Sequence, residues 1–313
     1  MNLKAYISYV ELPTKIASII PFIMGVVYSL YKYGSVNITN LIIMFISMIT
    51  FDMATTAINN YCDYKNELKH FKEDYKGRNP MFVHGISQKV GLYTIGILLF
   101  IAVVLGIILT IRTNLLVLLI GAVCFFVGIF YTFGPIPISR MPLGEVFSGG
   151  FMGLLIPFLT IYMSIYNSNY FGIYINKTIL TASFDLLEAF SIFIITIPLV
   201  GGIANIMLAN NICDLDDDIK VGRFTLPYYI GKTASIKLFK YIYYIGYITT
   251  VLSVIIGILP KTSLLSILSL FIVQKNIKVF EGKQVKSETF TISVKNFTIL
   301  GIIYIFSTGI CLI

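Results

Sequence analysis

Charged residues are scarce in this chain. Only 12% of its 313 residues are Asp, Glu, Lys or Arg, whereas soluble domains usually carry about 25%. Apolar residues make up 57%, and long apolar runs recur along the whole length. Because a helix of about 20 apolar residues crosses the hydrocarbon core of a bilayer, this composition excludes an ordinary soluble protein. It predicts an integral membrane protein.

Cysteine and histidine are also few, which argues against a zinc site or a disulfide framework. The only histidines, His70 and His84, share one polar loop, and such a pair cannot complete a metal shell unaided, so we expect solvated loop residues. No small-residue cleavage site follows the N-terminus, so we expect it to remain in the mature protein. The cysteines lack the paired spacing of metal ligands or disulfides; they are Cys62, Cys124, Cys213 and Cys311.

Nine apolar stretches, bounded by charges, Gly, Pro or Asn, predict nine transmembrane helices. The eighth is short, which favours a tilted or partly interfacial helix. No strand-like alternation interrupts the stretches, so the predicted fold is an all-α bundle in a single domain, residues 1–313. The predicted spans are 13–33, 39–61, 89–111, 114–133, 144–167, 188–212, 234–259, 261–275 and 296–313.

The basic residues sort to one side of this topology. With the N-terminus inside, 19 of the 23 Lys and Arg residues fall on the inner side and 4 on the outer side. Since positively charged short loops stay in the cytoplasm, we expect the N-terminus and the polar loops 62–88 and 213–233 to be cytoplasmic and the C-terminus to lie outside. The net charge of +8 then reflects membrane orientation and not nucleic-acid binding.

A five-residue sequence motif occurs twice, 151 residues apart, and the two copies are identical at four of the five positions. The two copies are Asn-Asn-Tyr-Cys-Asp at 59–63 and Asn-Asn-Ile-Cys-Asp at 210–214. Each copy ends a predicted span on the cytoplasmic side. This predicts an internal repeat, with motif loops 59–88 and 210–233, and chance in an Asn-rich chain is the alternative. Repeat-built membrane proteins commonly place their site at the repeat interface.

Each copy begins an acidic motif with an amide and two carboxylates spaced four residues apart, which places all three on one face of a helix. The first motif is Asn59, Asp63 and Glu67, and the second is Asn210, Asp214 and Asp218, with Asp217 as a further carboxylate. Like charges at this spacing repel each other, so we expect a cation between them. Mg²⁺ takes one or two carboxylates, keeps waters and binds substrate phosphates. Two such motifs could hold one diphosphate, whereas solvated acids paired with nearby lysines are the alternative.

Basic residues follow both motifs. Arg78, Lys220 and Arg223 are our candidates for binding a diphosphate, since guanidinium and ammonium groups neutralise phosphate oxygens; the others are expected to enforce orientation. Asp52 lies inside the second span, where an ionisable residue marks a possible site. A hydrogen bond within the bundle is the reading we favour for it. Zinc binding by the cysteines before the key aspartates is not expected.

These motifs resemble those of the UbiA superfamily of intramembrane prenyltransferases. The resemblance also includes Gly77-Arg78-Asn79-Pro80, Gly222-Arg223-x-Thr225-Leu226, Tyr131-Thr132-x-Gly134-Pro135 and Leu143-Gly144-Glu145. It covers the chain from Pro13-Thr14 through the last span. Within the superfamily, the second motif and the Leu-Gly-Glu element look most like the branch that prenylates 1,4-dihydroxy-2-naphthoate in menaquinone biosynthesis.

The resemblance implies a nine-helix bundle around a central cavity in a bacterial cell membrane, with both motifs at its cytoplasmic end. It implies Mg²⁺-dependent transfer of a polyprenyl group from an allylic diphosphate to an aromatic quinone precursor. Asp63, Glu67, Asp214, Asp218 and Asp217 would then hold the metal, with Asp63, Asp214 and Tyr131 as catalytic residues and Asn59, Arg78, Asn210, Lys220 and Arg223 binding the diphosphate. Tyr131 could instead be an interfacial belt residue.

Two alternatives remain open at this point. The acceptor could be another aromatic compound or a lipid alcohol. A secondary transporter with acidic cation sites is the alternative from a different class, although transporter sites usually lie near the membrane midplane. No obligate protein partner is expected in any of these cases.

Overall fold

The computed structural model describes residues 1–70, 79–131, 137–168, 170–220 and 222–313. A π-helical segment, Gly149–Leu155, joins α7 to α8, and a 3-10 segment, Lys261–Leu268, leads into α12. The helices are α1 (Leu3–Tyr9), α2 (Ile16–Tyr33), α3 (Ile38–His70), α4 (Pro80–Val83), α5 (Gln88–Arg112), α6 (Leu115–Phe130), α7 (Gly144–Ser148), α8 (Ile156–Ile165), α9 (Leu186–Lys220), α10 (Leu226–Ile230), α11 (Lys232–Ile255), α12 (Ser269–Gly282) and α13 (Phe290–Gly309).

The predicted helical membrane fold is confirmed, but the count of nine full-length spans is not. Within the described residues, eight helical segments are long and apolar enough to cross a membrane, and they coincide with eight predicted spans. The fourth predicted span, 114–133, is instead α6, which has 16 residues. At 1.5 Å per residue it extends about 24 Å, less than the roughly 30 Å hydrocarbon core.

The eighth span is longer than its apolar run suggested. The sequence predicts 261–275, whereas the helical segment continues to Gly282. Val273, Ile277 and Phe280 form a buried stripe on α12, while the lysines between them are exposed. This spacing is that of one helix face, so the amphipathic pattern continues the helix after the apolar run ends.

A β-hairpin interrupts the helices, which corrects the expectation that no strand would occur. Strands β1 (Phe171–Asn176) and β2 (Ile179–Phe184) pair antiparallel, with Phe171 opposite Phe184. Lys177 in the turn has φ 55°. Aromatic and β-branched residues favour strands, but six-residue strands are too short to disturb a reading based on runs of about 20 apolar residues.

The chain divides into two compact units. Unit 1 comprises residues 1–16 and 38–137, and unit 2 comprises residues 17–37 and 138–313. In unit 1, α3 packs along α5, and the first motif lies at the end of α3. A buried cluster lies beside that motif and includes Tyr9, Tyr61 and Met81.

Unit 2 is built around α9, which carries the second motif at its C-terminal end. It packs against α7, the π-helical segment, α10, α11 and α13. Glycines make these approaches close: a Cβ atom at Gly153 would lie 2.5 Å from Val200 Cα, and one at Gly202 would lie 2.6 Å from the Phe297 ring. Small residues allow helix backbones to approach in membranes, and here they hold α9 firmly among its neighbours.

Candidate active site

The second motif lies on one face of α9, where two of its oxygen atoms converge on one cation. The Lys286 ammonium donates hydrogen bonds to Asn210 Oδ1 and to Asp214 Oδ2. Lys286 comes from the segment between α12 and α13, 72 residues from Asp214 along the chain. An amide oxygen and a carboxylate one helical turn apart therefore form a cation-binding pair, as their spacing indicates.

Asp218, the third member of the motif, is 5% exposed. Its Oδ1 lies 3.5 Å from the Arg223 guanidinium, and its Oδ2 is buried without a hydrogen-bond partner among the described residues. The turn after α9 returns Arg223 to this position: its backbone N–H donates to Asp218 O at 2.8 Å, and Gly222 adopts φ +70°. A glycine in the left-handed region is the common way to end a helix, so local backbone geometry brings the two charges together.

The predicted ligand Asp217 and the predicted diphosphate-binding residue Lys220 point elsewhere. They pair with each other at 2.8 Å, and their side chains are 85% and 72% exposed. Exposed pairs three residues apart contribute little stability. Each residue would have to leave this pair to act on a metal or a phosphate.

The second asparagine of the repeated five-residue motif has a structural role in unit 2. Asn211 is 1% exposed and donates to Glu145 Oε1 at 2.8 Å. Glu145 belongs to the Leu-Gly-Glu element on α7 and is 5% exposed. Leaving a buried polar group without its hydrogen bond is costly, so this contact ties α7 to the end of α9.

The first motif lies on α3, which is continuous through Asn59, Asp63 and Glu67, so the three share a helix face. Asp63 is exposed, and Asn59 is partly buried. Glu67 is partly buried as well, and its Oε2 has no hydrogen-bond partner within the described part of the chain. This orphaned carboxylate oxygen parallels that of the third acid in the second motif.

The second asparagine of this copy, Asn60, is also structural. It is 8% exposed, donates to Tyr9 O at 2.9 Å and, through its own carbonyl, accepts from Asn79 Nδ2 at 2.8 Å. Asn79 in turn caps α4, since its Oδ1 accepts from Met81 N at 2.9 Å. These bonds hold the chain segments beside the first motif in place.

The remaining predicted residues are placed as follows. Tyr131 is partly buried and ends α6 with a backbone hydrogen bond to Val127 O at 2.7 Å. His84 ends α4. Arg78 and the side chain of His70 lie outside the described residues. The residues of motif two lie together on α9.

Asp52 has the structural contact that the sequence favoured. The Lys15 ammonium, on a side chain 2% exposed, donates to Asp52 Oδ1 at 2.8 Å and to Asp52 O at 3.1 Å. The sequence identifies Lys15 only as one of the basic residues that orient the chain in the membrane. A charge inside the apolar part of a membrane protein needs a partner, and nothing in the sequence spacing names which one, because the two residues come from different helical segments.

The donor chemistry of both motifs fits a hard divalent cation. No cluster of three or more His, Cys, Asp or Glu side chains in a metal-holding arrangement is found among the residues that the structure describes. Nevertheless, Glu67 and Asp218 each leave a buried carboxylate oxygen unpartnered, and Asn210 with Asp214 already binds an ammonium group. Carboxylate and amide oxygens are ligands that Mg²⁺ accepts.

Fold and site together define a class: a helical integral membrane protein with acidic, cation-binding chemistry at the end of a long helix. The UbiA prenyltransferase family model matches residues 18–310, and the chain therefore belongs to that family. It is a prenyltransferase, so the prediction of an enzyme is confirmed and the transporter alternative falls away.

One relative is similar in sequence, and two solved structures are similar in fold. The 1,4-dihydroxy-2-naphthoate octaprenyltransferase of Bacillus subtilis (strain 168) is 29% identical over 244 residues, covering 78% of this chain and 71% of that protein. The apo structure of a UbiA homolog from Aeropyrum pernix K1 has a TM-score of 0.67 at 16% identity, covering 94% and 97% of the two chains. A UbiA homolog from Archaeoglobus fulgidus, solved bound to GPP and Mg²⁺, has a TM-score of 0.61 at 15% identity, covering 98% and 99%.

Proposed function

We propose that this prenyltransferase transfers a polyprenyl group from an allylic prenyl diphosphate to 1,4-dihydroxy-2-naphthoate, with Mg²⁺ as its cofactor. The observation that carries the proposal is the convergence of Asn210 Oδ1 and Asp214 Oδ2 on one cation, next to the unpartnered buried oxygen of Asp218. The choice of acceptor is supported by the Bacillus subtilis relative, whose activity is that of an octaprenyltransferase for this naphthoate.

In this proposal the acids of the two motifs would hold Mg²⁺, which when bound would supply Lewis-acid neutralisation of the charge on the diphosphate. The ligands are Asp63 and Glu67 in the first motif and Asp214 and Asp218 in the second. Asp217 is included as a fifth ligand from the sequence, on condition that it leaves its exposed pair with Lys220.

Basic and amide groups then bind the diphosphate. Arg223 is poised for this role because its side chain is 31% exposed and its Nε has no hydrogen-bond partner among the described residues. Asn59, Asn210, Lys220 and Arg78 complete the proposed set. Such donors stabilise charge that develops as the allylic carbon–oxygen bond breaks.

The allylic carbon–oxygen bond breaks with its electron pair going to the diphosphate, and the electron-rich ring of the acceptor attacks the allylic cation. The ring then regains aromaticity by losing the group on the attacked carbon, either a proton to the diphosphate or the carboxylate as carbon dioxide. The Tyr131 ring is proposed to stabilise that cation, since aromatic faces attract positive charge. Water would quench the cation, and an apolar helical environment keeps it away.

We further propose that the protein lies in the cell membrane of a bacterium with the N-terminus and both motifs facing the cytoplasm. The support is the distribution of basic residues, 19 against 4, between the two sides of the predicted topology. Cysteine labelling at positions in the hairpin 171–184, compared with the motif loops, measures the orientation directly.

The test is a product assay with detergent-solubilised protein, Mg²⁺, prenyl diphosphates of several lengths and a panel of aromatic and lipid acceptors. We expect a prenylated naphthoate by mass spectrometry and release of diphosphate, both lost in Asp214→Ala. Consumption of a different acceptor alone would overturn the acceptor assignment. Absence of any Mg²⁺-dependent diphosphate release would overturn the catalytic proposal.

A further inference from the structure

Lys286 holds a position that the proposed metal would need. Its ammonium contacts Asn210 Oδ1 and Asp214 Oδ2, one helical turn apart on α9. The same ammonium lies 5.2 Å from the centroid of the Phe290 ring, a favourable cation–π arrangement. Lys286 is 37% exposed and Asp214 is 26% exposed, so the pair lies at the rim of the protein interior.

The segment that carries Lys286 is itself well anchored. Thr289, 5% exposed, accepts from Val285 N at 2.9 Å, and its own backbone N–H donates to Val285 O at 2.8 Å. Gln284 Nε2 donates to Phe280 O at 2.6 Å. These bonds close a turn around Lys286, so the backbone presents the side chain toward α9.

One ammonium and one divalent cation cannot use the same two oxygen atoms at the same time. Without any cation, the carboxylate and the amide oxygen would face each other with their lone pairs, and Asp218 would add a second negative charge one turn further. The single positive charge of the Lys286 ammonium relieves that repulsion, but it attracts the two oxygen atoms less strongly than a divalent cation would. A divalent cation can therefore replace the Lys286 ammonium at these two oxygen atoms.

We propose that the Lys286 ammonium occupies the place of the divalent cation between Asn210 and Asp214 and is displaced when that cation binds. The inference rests on the function proposed above. Lys286 thus competes with the metal, and the apparent affinity of the second motif for metal is reduced by the fraction of molecules in which the Lys286 contact is closed.

The experiment is a Mn²⁺ titration followed by electron paramagnetic resonance on purified protein, in an Asp63→Ala background so that the second motif dominates binding. We expect Lys286→Met to bind Mn²⁺ more tightly than its parent, by about tenfold if the contact is closed in nine of ten molecules. We expect its thermal stability without metal to be lower, and the difference to shrink at saturating Mn²⁺.

Two variants serve as controls. Lys283→Met removes a lysine of the same segment that pairs with exposed Glu288 at 2.6 Å, and it should leave Mn²⁺ affinity unchanged. Lys286→Arg keeps the positive charge and should bind Mn²⁺ like the parent. A merely structural role for Lys286 predicts the opposite sign, because a disturbed site binds metal less well.

The outcomes separate this inference from the proposed function. Equal or weaker Mn²⁺ binding by Lys286→Met, while Asp214→Ala abolishes both binding and prenyl transfer, would overturn the exchange role alone. Failure of the parent protein, with or without Asp63→Ala, to bind Mn²⁺ would overturn the metal-ligand assignment and this inference with it.

Discussion

The packing of Gly153 against α9 makes a quantitative prediction. A Cβ atom added at Gly153 would lie 2.5 Å from Val200 Cα and 2.6 Å from Val200 N. Ordinary van der Waals contact begins at 3.4 Å, so the two segments must separate by about 0.9 Å. The atoms in the way belong to the backbone and cannot rotate aside. Overpacking of this kind costs about 1–3 kcal/mol, which is the expected loss in the free energy of unfolding for Gly153→Ala.

The same displacement should reach the candidate site. Gly153 lies in the π-helical segment that follows α7 directly, and α7 carries Glu145. If α7 moves away from α9 with that segment, the 2.8 Å bond from Asn211 to Glu145 is stretched and weakened. Gly153→Ala should therefore lose prenyl transfer activity as well as stability.

Gly150 provides the matched control, since it lies in the same segment and a Cβ atom there would meet nothing within 4 Å. Gly150→Ala should be neutral or slightly stabilising, because Ala loses less conformational freedom than Gly in a helix. Unfolding in mixed micelles with increasing SDS, followed by circular dichroism, measures both variants. Equal stability of Gly153→Ala and Gly150→Ala would refute the close-packing argument.

Three further predictions concern charged residues. Asp63→Ala or Asp214→Ala should abolish diphosphate release while leaving membrane insertion intact by fractionation; wild-type turnover would show that the ligands are misassigned. Asp217→Asn should lower turnover less than Asp214→Asn, since Asp217 is exposed and paired outward; a larger loss would make it a principal ligand. Lys15→Met should lose about 3–5 kcal/mol by removing the ammonium partner of the Asp52 carboxylate, and adding Asp52→Asn should recover part of this in SDS unfolding; no recovery would contradict a direct ion pair.

The spans could be predicted because a helix needs about 20 apolar residues to cross the hydrocarbon core, and apolar runs of that length can be read from the sequence. The exceptions have physical causes. Helix α12 continues to Gly282 through an amphipathic pattern that a search for apolar runs does not detect. The hairpin 171–184 is short and local, and α6 is apolar but, with 16 residues, too short to span the hydrocarbon core. The length of an apolar run thus predicts that a membrane-spanning helix exists, but it does not predict where that helix begins and ends.

Spacing within one helix also predicted how the candidate acids would be arranged. Residues four apart share a face, and Asp214 and Asp218 indeed lie on one continuous helix with their predicted amide. What spacing could not supply were partners from other elements. Lys286 reaches Asp214 across 72 residues, and Glu145 reaches Asn211 across 66. Such pairs depend on tertiary packing, which a single sequence does not specify.

The two adjacent asparagines in the second copy of the five-residue motif have different roles, one in cation binding and one in packing. Successive residues on a helix are about 100° apart, so two adjacent asparagines cannot face the same surroundings. Asn210 shares its face with Asp214 and accepts a hydrogen bond from the Lys286 ammonium there, whereas Asn211 is buried against Glu145. In unit 1 the second asparagine is also buried, and Asn60 donates a hydrogen bond to the backbone carbonyl of Tyr9. The pair therefore fixes the helix end to a neighbouring segment with one side chain and leaves the other on the face of the acids, so an acidic motif without its second asparagine would lose the contact that anchors its helix end.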